Sequence, residues 1–143
     1  MTTLRELGYD DVDYQSYDGI ETLGKVVDVY DGDTITVIIE KPKVVKIKIR
    51  MYGINASEMK GGDRENGIKA RDYLLSEILE EAVEPSMPRA SIRKILKDSR
   101  KLVRLELGKY DKYGRVLAKV FSERGTDLSM AMVSGGYARE YIL

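Results

Sequence analysis

Four charged side chains that could bind and cut a phosphodiester stand at turns or loop edges of this 143-residue chain. Asp-Gly-Asp-Thr at 31–34 and Asp-Lys-Tyr-Gly-Arg at 111–115 each separate two strand-like runs, and Arg50 and Glu58 flank a segment between them. Carboxylates bind a hard cation or activate water, and guanidiniums bind phosphate through paired N–H donors. Two carboxylates and two guanidiniums in these positions therefore indicate phosphodiester chemistry.

The composition excludes several other chemistries. The chain has no Cys and no His, so disulfides, thiol nucleophiles and every triad that uses an imidazole base are absent. Its length predicts a single domain, and no apolar run approaches the ~20 residues of a membrane span. The N-terminus lacks the basic start and apolar core of a signal peptide, so we expect a protein that is intracellular or already processed, with no membrane partner.

The elements that must position these residues are mostly strands. Runs rich in Val, Ile and Thr occur at 24–30, 34–40, 45–51, 102–107 and 116–121. We expect a loop over 53–62, then a helix from about Asp63 ended by Pro85 and Pro88. Ser91 is expected to cap a second, basic helix and Thr126 a third. Five strands with a helix after the third predict an α+β, mainly β protein: a five-stranded OB-fold Greek-key barrel with two to three helices.

The formal net charge of zero conceals an uneven distribution. Residues 1–23 carry six acidic side chains against one basic one, so we divide the chain into an acidic N-terminal arm, 1–23, and a barrel domain, 24–143. Residues 89–104 carry seven basic side chains against one acidic one. This basic segment is either an ordinary solvated helix or a surface that faces a polyanion.

Each candidate residue has a simpler local explanation. Asp-Gly favours a type I′ hairpin turn, in which Asp33 would be merely solvated. Arg50 could be the third cation of an exposed strand face, after Lys46 and Lys48. Glu58 could be any loop carboxylate, and Arg115 could be a solvated residue that follows a hairpin.

In combination, however, the motifs resemble those of the staphylococcal nuclease family. The resemblance spans about residues 24–141. It rests on Asp-Gly-Asp-Thr at 31–34, Arg-Met-Tyr-Gly-Ile-Asn-Ala-Ser-Glu at 50–58, Asp-Lys-Tyr-Gly-Arg at 111–115 and Gly-Gly-Tyr-Ala at 135–138. Members of that family are OB-fold, calcium-dependent nucleases that hydrolyse DNA and RNA and leave 3′-phosphates.

The resemblance implies a role for each site residue. Arg50 and Arg115 would bind the phosphate and stabilise the transition state, and Glu58 would position or deprotonate the attacking water. The remaining residues would bind the metal or the substrate. Asp33, Asn55 and Ala56 are the implied Ca²⁺ ligands, and Lys112, Tyr113 and Tyr141 the implied substrate-binding residues. The implied partner is DNA or RNA, single-stranded, bound by a monomer.

Two departures from the family pattern leave a second function open. Where the family usually has Asp-Thr-Pro-Glu or Asp-x-Pro-Glu, this chain has Asn55-Ala56-Ser57-Glu58, so its metal site lacks one negative charge. The missing proline leaves the loop that carries Glu58 less rigid. The expected function is a calcium-dependent nuclease, and the alternative is a non-catalytic nucleic-acid-binding OB module with a degraded metal site. A scaffold whose polyanion-facing surface is incidental is a third interpretation.

Overall fold

The computed structural model describes residues 3–57 and 63–141. Two 3-10 turns, Leu4–Glu6 and Tyr9–Asp11, precede the regular elements. The strands are β1 (Glu21–Asp31), β2 (Thr34–Ile39), β3 (Val45–Met51), β4 (Ile54–Ala56), β5 (Val103–Tyr110), β6 (Val116–Phe121) and β7 (Ala138–Glu140). The helices are α1 (Arg64–Leu79), α2 (Arg89–Asp98) and α3 (Leu128–Ser134). Within these ranges every helix is too short or too polar to span a bilayer.

Five strands close into a barrel in the order β1-β2-β3-β6-β5, with β5 pairing back to β1. The pair of β3 and β6 is parallel, and the other four pairs are antiparallel. Alternate side chains of β2, β3 and β6 are buried, as expected for strands with one face toward a core. Helices α1 and α2 pack against β1 from outside. The α+β, mainly β barrel with three helices confirms the predicted OB-fold.

Long-range pairing explains two differences from the predicted strands. β1 begins at Glu21, earlier than expected, because residues 21–24 pair with residues 103–106 of β5. The predicted loop 53–62 contains β4, which pairs antiparallel with β7. The loop prediction is therefore wrong for residues 54–56, because three-residue strands have too little sequence pattern to be detected.

The helix ends differ from prediction because other residues make the caps. Helix α2 begins at Arg89, directly after Pro88, so Ser91 lies within the helix and does not cap it. At α3 the cap is Asp127, whose side chain accepts a hydrogen bond from the Met130 amide, and not Thr126. Helix α1 ends at Leu79, well before Pro85, because the next residue adopts a left-handed conformation with φ 58°.

The acidic arm is fixed to the barrel near its C-terminal end. Tyr17 is buried, and its ring contacts that of Tyr110 at a centroid distance of 6.3 Å. Tyr9 and Tyr14 are exposed and contact each other. The attachment at Tyr17 places the C-terminal part of the arm beside the end of β5, close to the turn at 111–115.

Candidate active site

The turn between β1 and β2 holds Asp33 in a buried position. Gly32 and Asp33 lie between the paired residues Asp31 and Thr34. A Cβ atom on Gly32 would lie only 2.7 Å from the Cβ of Ala56, so the turn is pressed against β4 and tolerates only glycine there. Neither turn residue has a positive φ, so the turn is not type I′. Asp33 is 6% exposed, which contradicts the simple solvated-turn explanation.

Asp33 is the centre of a cluster that joins three segments. Its Oδ2 accepts a hydrogen bond from the Ala56 amide at 2.8 Å and lies 3.4 Å from Nη1 of Arg50. Nη2 of Arg50 donates to Oδ1 of Asn55 at 3.4 Å. The backbone carbonyl of Asp33 also accepts from the amide of Met51, at the end of β3. Three of the predicted metal-site residues and one predicted catalytic arginine therefore lie together.

The position of Arg50 separates it from the two lysines that precede it on β3. Lys46 and Lys48 are exposed on the outer face of the strand, whereas the side chain of Arg50 is only 13% exposed. Its Nη1 also donates to the carbonyl of Met51 at 2.9 Å. Arg50 is therefore held in a defined position by its neighbours and is not part of a solvated basic stripe.

Asp31 adds a second carboxyl group to the same turn. Its Oδ1 accepts a hydrogen bond from the amide of Asp33 at 3.1 Å. Burial, followed by the nearby charge of Asp33, raises the pKa of Asp31 to about 7. The ionised form of Asp31 is therefore disfavoured in this buried turn. The sequence contains Asp31 in the Asp-Gly-Asp-Thr motif, but its role depends on the burial of the turn, which local sequence does not reveal.

The turn between β5 and β6 holds Arg115 through Asp111. Oδ2 of Asp111 accepts from Nε of Arg115 at 2.7 Å, and its Oδ1 accepts from the amides of Tyr113 and Arg115. Gly114, at φ 82°, allows the chain to reverse within this short span. Burial favours a higher pKa for the Asp111 carboxyl, but the hydrogen bonds from Arg115 and Tyr113 lower it overall.

Asp111 is the first residue of the Asp-Lys-Tyr-Gly-Arg motif, and no role for it was predicted from the sequence. Aspartate at the first position of a tight turn commonly accepts hydrogen bonds from amides two or more residues later. That preference, together with an arginine four positions further on, is the sequence pattern that could have identified it. The guanidinium of Arg115 also lies 5.2 Å from the ring centroid of Tyr113.

One open cleft of about 560 Å³ lies between the end of β3, strand β4, the turn between β5 and β6, and Tyr141. Six residues that the sequence assigned to catalysis, metal binding or substrate binding line it: Arg50, Asn55, Lys112, Tyr113, Arg115 and Tyr141. The other lining residues are Met51, Gly53, Ile54, Asp111 and Leu117. Three cationic side chains face the cleft against one carboxylate, so the cleft is suited to an anion. Glu58 lies outside the described residues.

The donor atoms near Asp33 fit a weakly bound calcium ion. No group of three or more acidic side chains that could hold a metal occurs within residues 3–57 and 63–141. The site does offer hard oxygen donors, which calcium prefers: the carboxylates of Asp33 and Asp31, the amide oxygen of Asn55 and backbone carbonyls. Burial and then the charge of Asp33 raise the pKa of Asp31, so a bound cation would favour the ionised form of Asp31. Calcium takes six to eight oxygens, so water would have to supply several of them.

Much of the basic segment 89–104 is engaged in ion pairs. Arg89 and Arg93 both donate to Oδ2 of Asp28, a buried carboxylate on β1. Burial would raise the pKa of Asp28, but these two arginines lower it overall. Lys101 donates to Glu80 at 2.9 Å. Two lysines of α2 have exposed side chains without an ion pair or side-chain hydrogen bond among the described residues: Lys94 and Lys97.

The fold and the cleft define an OB-fold protein with a cleft lined by three cationic side chains. A family model described as staphylococcal nuclease homologue matches residues 48–143, and the chain therefore belongs to the staphylococcal nuclease family. A comparison with curated proteins finds no match. Domains of this family act on nucleic acids, are generally nucleases and typically use Ca²⁺.

Proposed function

We propose that this protein is a calcium-dependent nuclease that hydrolyses phosphodiester bonds of single-stranded DNA or RNA. The observation that carries the proposal is the convergence of Arg50, on β3, and Arg115, in the turn between β5 and β6, on the same cleft. Arg50 contacts Asp33 and Asn55 there. Both guanidiniums are preorganised, Arg50 by Asp33 and Met51 and Arg115 by Asp111. Charge that is fixed before the reaction is usually the largest contribution to stabilising a transition state.

In this proposal the arginines bind the two non-bridging oxygens of the scissile phosphate. Water attacks phosphorus, and negative charge builds on the oxygens that Arg50 and Arg115 bind. The P–O bond to the 5′ oxygen then breaks, and that oxygen takes a proton from solvent to leave as a hydroxyl group. Glu58 accepts the proton of the water. Calcium, when bound by Asp33, Asn55 and the backbone near Ala56, would supply further positive charge at the phosphate.

Around the reacting group, the remaining cleft residues bind the strand. Tyr113 and Tyr141 are half-exposed or more and lie at the rim, where aromatic rings can stack on bases. Lys112 adds a mobile positive charge for the backbone. Because stacking requires unpaired bases, this arrangement favours a single-stranded ligand.

A specific observation favours the second candidate function, a non-catalytic nucleic-acid-binding module. Asn55 is neutral, and its amide oxygen is already the acceptor for Arg50. Such a site keeps the arginine side chains that bind phosphate, but it attracts a divalent metal less strongly. The two functions differ in whether calcium supports cleavage.

The test is cleavage of denatured DNA with calcium, with and without a chelator. We expect cleavage that the chelator abolishes, and Arg50→Ala and Arg115→Ala each to lower turnover by about 100-fold. Lys48→Ala, on the exposed face of the same strand as Arg50, is the matched control and should retain activity. Binding of the DNA without cleavage under all metal conditions would refute the nuclease and support the binding module.

A further inference from the structure

Arg139 lies on strand β7, opposite Asn55 on strand β4. Strands β4 and β7 pair antiparallel, with Asn55 directly opposite Arg139. Ile54 and Ala56, which flank Asn55, are buried, whereas Asn55 and Arg139 are both exposed. Directly opposed residues point to the same face of a sheet, with Cβ atoms about 4.5–5.5 Å apart. The two side chains therefore emerge together on the solvent side of this pair.

Asn55 consequently has two arginines as neighbours. Arg50 donates to its amide oxygen, and Arg139 is its cross-strand partner. Arg139 makes no ion pair or side-chain hydrogen bond with any residue in the described ranges 3–57 and 63–141. A neutral amide cannot balance the charge of Arg139, which thus remains available to an anion.

The surroundings of Arg139 are continuous with the cleft. Asn55 lines the cleft and also a neighbouring hollow of about 330 Å³, which Arg139 lines together with Ser57 and Tyr137. The carboxyl group of Asp63 also borders this hollow, where its Oδ1 accepts from Nδ2 of Asn66 at 3.3 Å. A strand leaving the cleft past Asn55 would therefore meet Arg139 next.

We propose that Arg139 binds a second phosphate of the nucleic-acid strand, adjoining the phosphate held by Arg50 and Arg115. The proposal rests on the proposed function, because it extends the same bound strand by one contact. The forked guanidinium suits a phosphate, and its position on a paired strand limits the freedom lost on binding. The same charge would oppose calcium held by Asn55. Arg139 thus increases the affinity of the site for phosphate and decreases its affinity for calcium.

The experiment compares Arg139→Ala with the unaltered protein on both ligands separately. In EDTA, affinity for a single-stranded deoxyoligonucleotide should fall about tenfold, the usual effect of losing a charged hydrogen bond. The slope of log affinity against log salt should shrink by about 0.7, for one phosphate contact to a single strand. Without nucleic acid, calorimetry should show calcium binding about threefold more tightly, a modest gain because salt screens exposed charges.

Two further variants separate a specific contact from charge alone and from damage to the fold. Arg139→Lys keeps the charge, so its salt slope and calcium affinity should stay close to those of the unaltered protein. Lys43→Ala removes an exposed cation from the turn before β3, seven residues and about 23 Å along the strand from Arg50. It should change neither ligand's affinity.

The outcomes distinguish this proposal from the proposed function. If Arg139→Ala weakens both ligands, or matches Lys43→Ala on both, Arg139 is not a phosphate contact, although cleavage that depends on Arg115 would still support the nuclease. If the unaltered protein neither binds the oligonucleotide in EDTA nor cleaves it with calcium, both proposals are wrong. Opposite changes in the two affinities are the result we expect.

Discussion

Replacing Asp111 with asparagine would test whether a carboxylate positions Arg115. Oδ2 of Asp111 accepts from Nε of Arg115 at 2.7 Å, and the two side chains are 13% and 26% exposed. Asparagine keeps the oxygen that accepts from the two turn amides, but its NH₂ group cannot accept from Nε. The variant therefore loses one charge-assisted hydrogen bond in a largely buried setting.

The expected cost is about 2 kcal/mol of the free energy of unfolding, the middle of the range for hydrogen bonds to charged groups. For a chain of this length that corresponds to a fall of about 4–8 °C in the melting temperature. Because Arg115 would no longer be held, kcat/KM for DNA cleavage should fall by at least about tenfold. The affinity of the variant for DNA, measured in the presence of a chelator, should fall less, because the charge of Arg115 remains.

The pH dependence of stability supplies an independent signature of this contact. The pKa of Asp111 lies below its ordinary value of 3.8, so its ionised form stabilises the fold above that pH. The difference in stability between the protein and Asp111→Asn should be constant from pH 5 to 8. It should shrink as the pH falls below about 4, where the carboxyl group of the unfolded chain takes up a proton, and vanish as the pH falls through the lowered pKa of the folded protein.

Glu106→Gln is the matched control, because it neutralises an acid that pairs with Arg104 at 2.8 Å on a more exposed part of β5. It should cost less than about 1 kcal/mol and leave cleavage unchanged. Equal effects of the two substitutions would refute a special role for Asp111. Loss of stability in Asp111→Asn with full activity would show that Arg115 does not need it for orientation.

Three other predictions concern charge at and beyond the cleft. In EDTA, Asp31→Asn should leave stability little changed at pH 3. As the pH rises to 8, the free energy of unfolding in urea should become larger for Asp31→Asn than for the unaltered protein, by up to about 4 kcal/mol. The reason is that the raised pKa of Asp31, about 7, makes its ionisation in the folded state destabilising. Removing Lys94 and Lys97 together should flatten the salt dependence of oligonucleotide binding without changing kcat, and an unaltered slope would assign them to a solvated helix. Asn55→Asp should tighten calcium binding in calorimetry, and an unchanged affinity would place Asn55 away from the metal.

The sequence predicted the barrel well because its strands have clear local patterns. β3 alternates apolar and polar side chains, and β6 is a run of apolar and β-branched residues bounded by turn residues; both have the predicted bounds. The pair of β4 and β7 escaped prediction because its partners are 84 positions apart at Asn55 and Arg139. Neither three-residue strand has enough length to show a period.

The candidate site was predictable as a set of residues but not as a set of environments. Turn preferences alone predict that Asp33 is solvated. In the structure, the packing of Gly32 against Ala56 buries it. The surface of α2 shows the reverse. Its arginines look available in the sequence, but Arg89 and Arg93 pair with Asp28, which lies about 60 positions earlier. In both cases the deciding contact is tertiary, and no local pattern encodes it.

The neutral side chain of Asn55 affects both candidate functions, because it lowers the negative charge that faces Arg50. With aspartate at 55, Arg50 would face two ionised carboxylates, and a phosphate would compete with both for the guanidinium. With asparagine, the only ionised partner of Arg50 among the described residues is Asp33, at the long distance of 3.4 Å. The change that weakens attraction for calcium therefore strengthens attraction for phosphate. Metal affinity and metal-free affinity for nucleic acid should accordingly change in opposite directions in Asn55→Asp, as they should in Arg139→Ala.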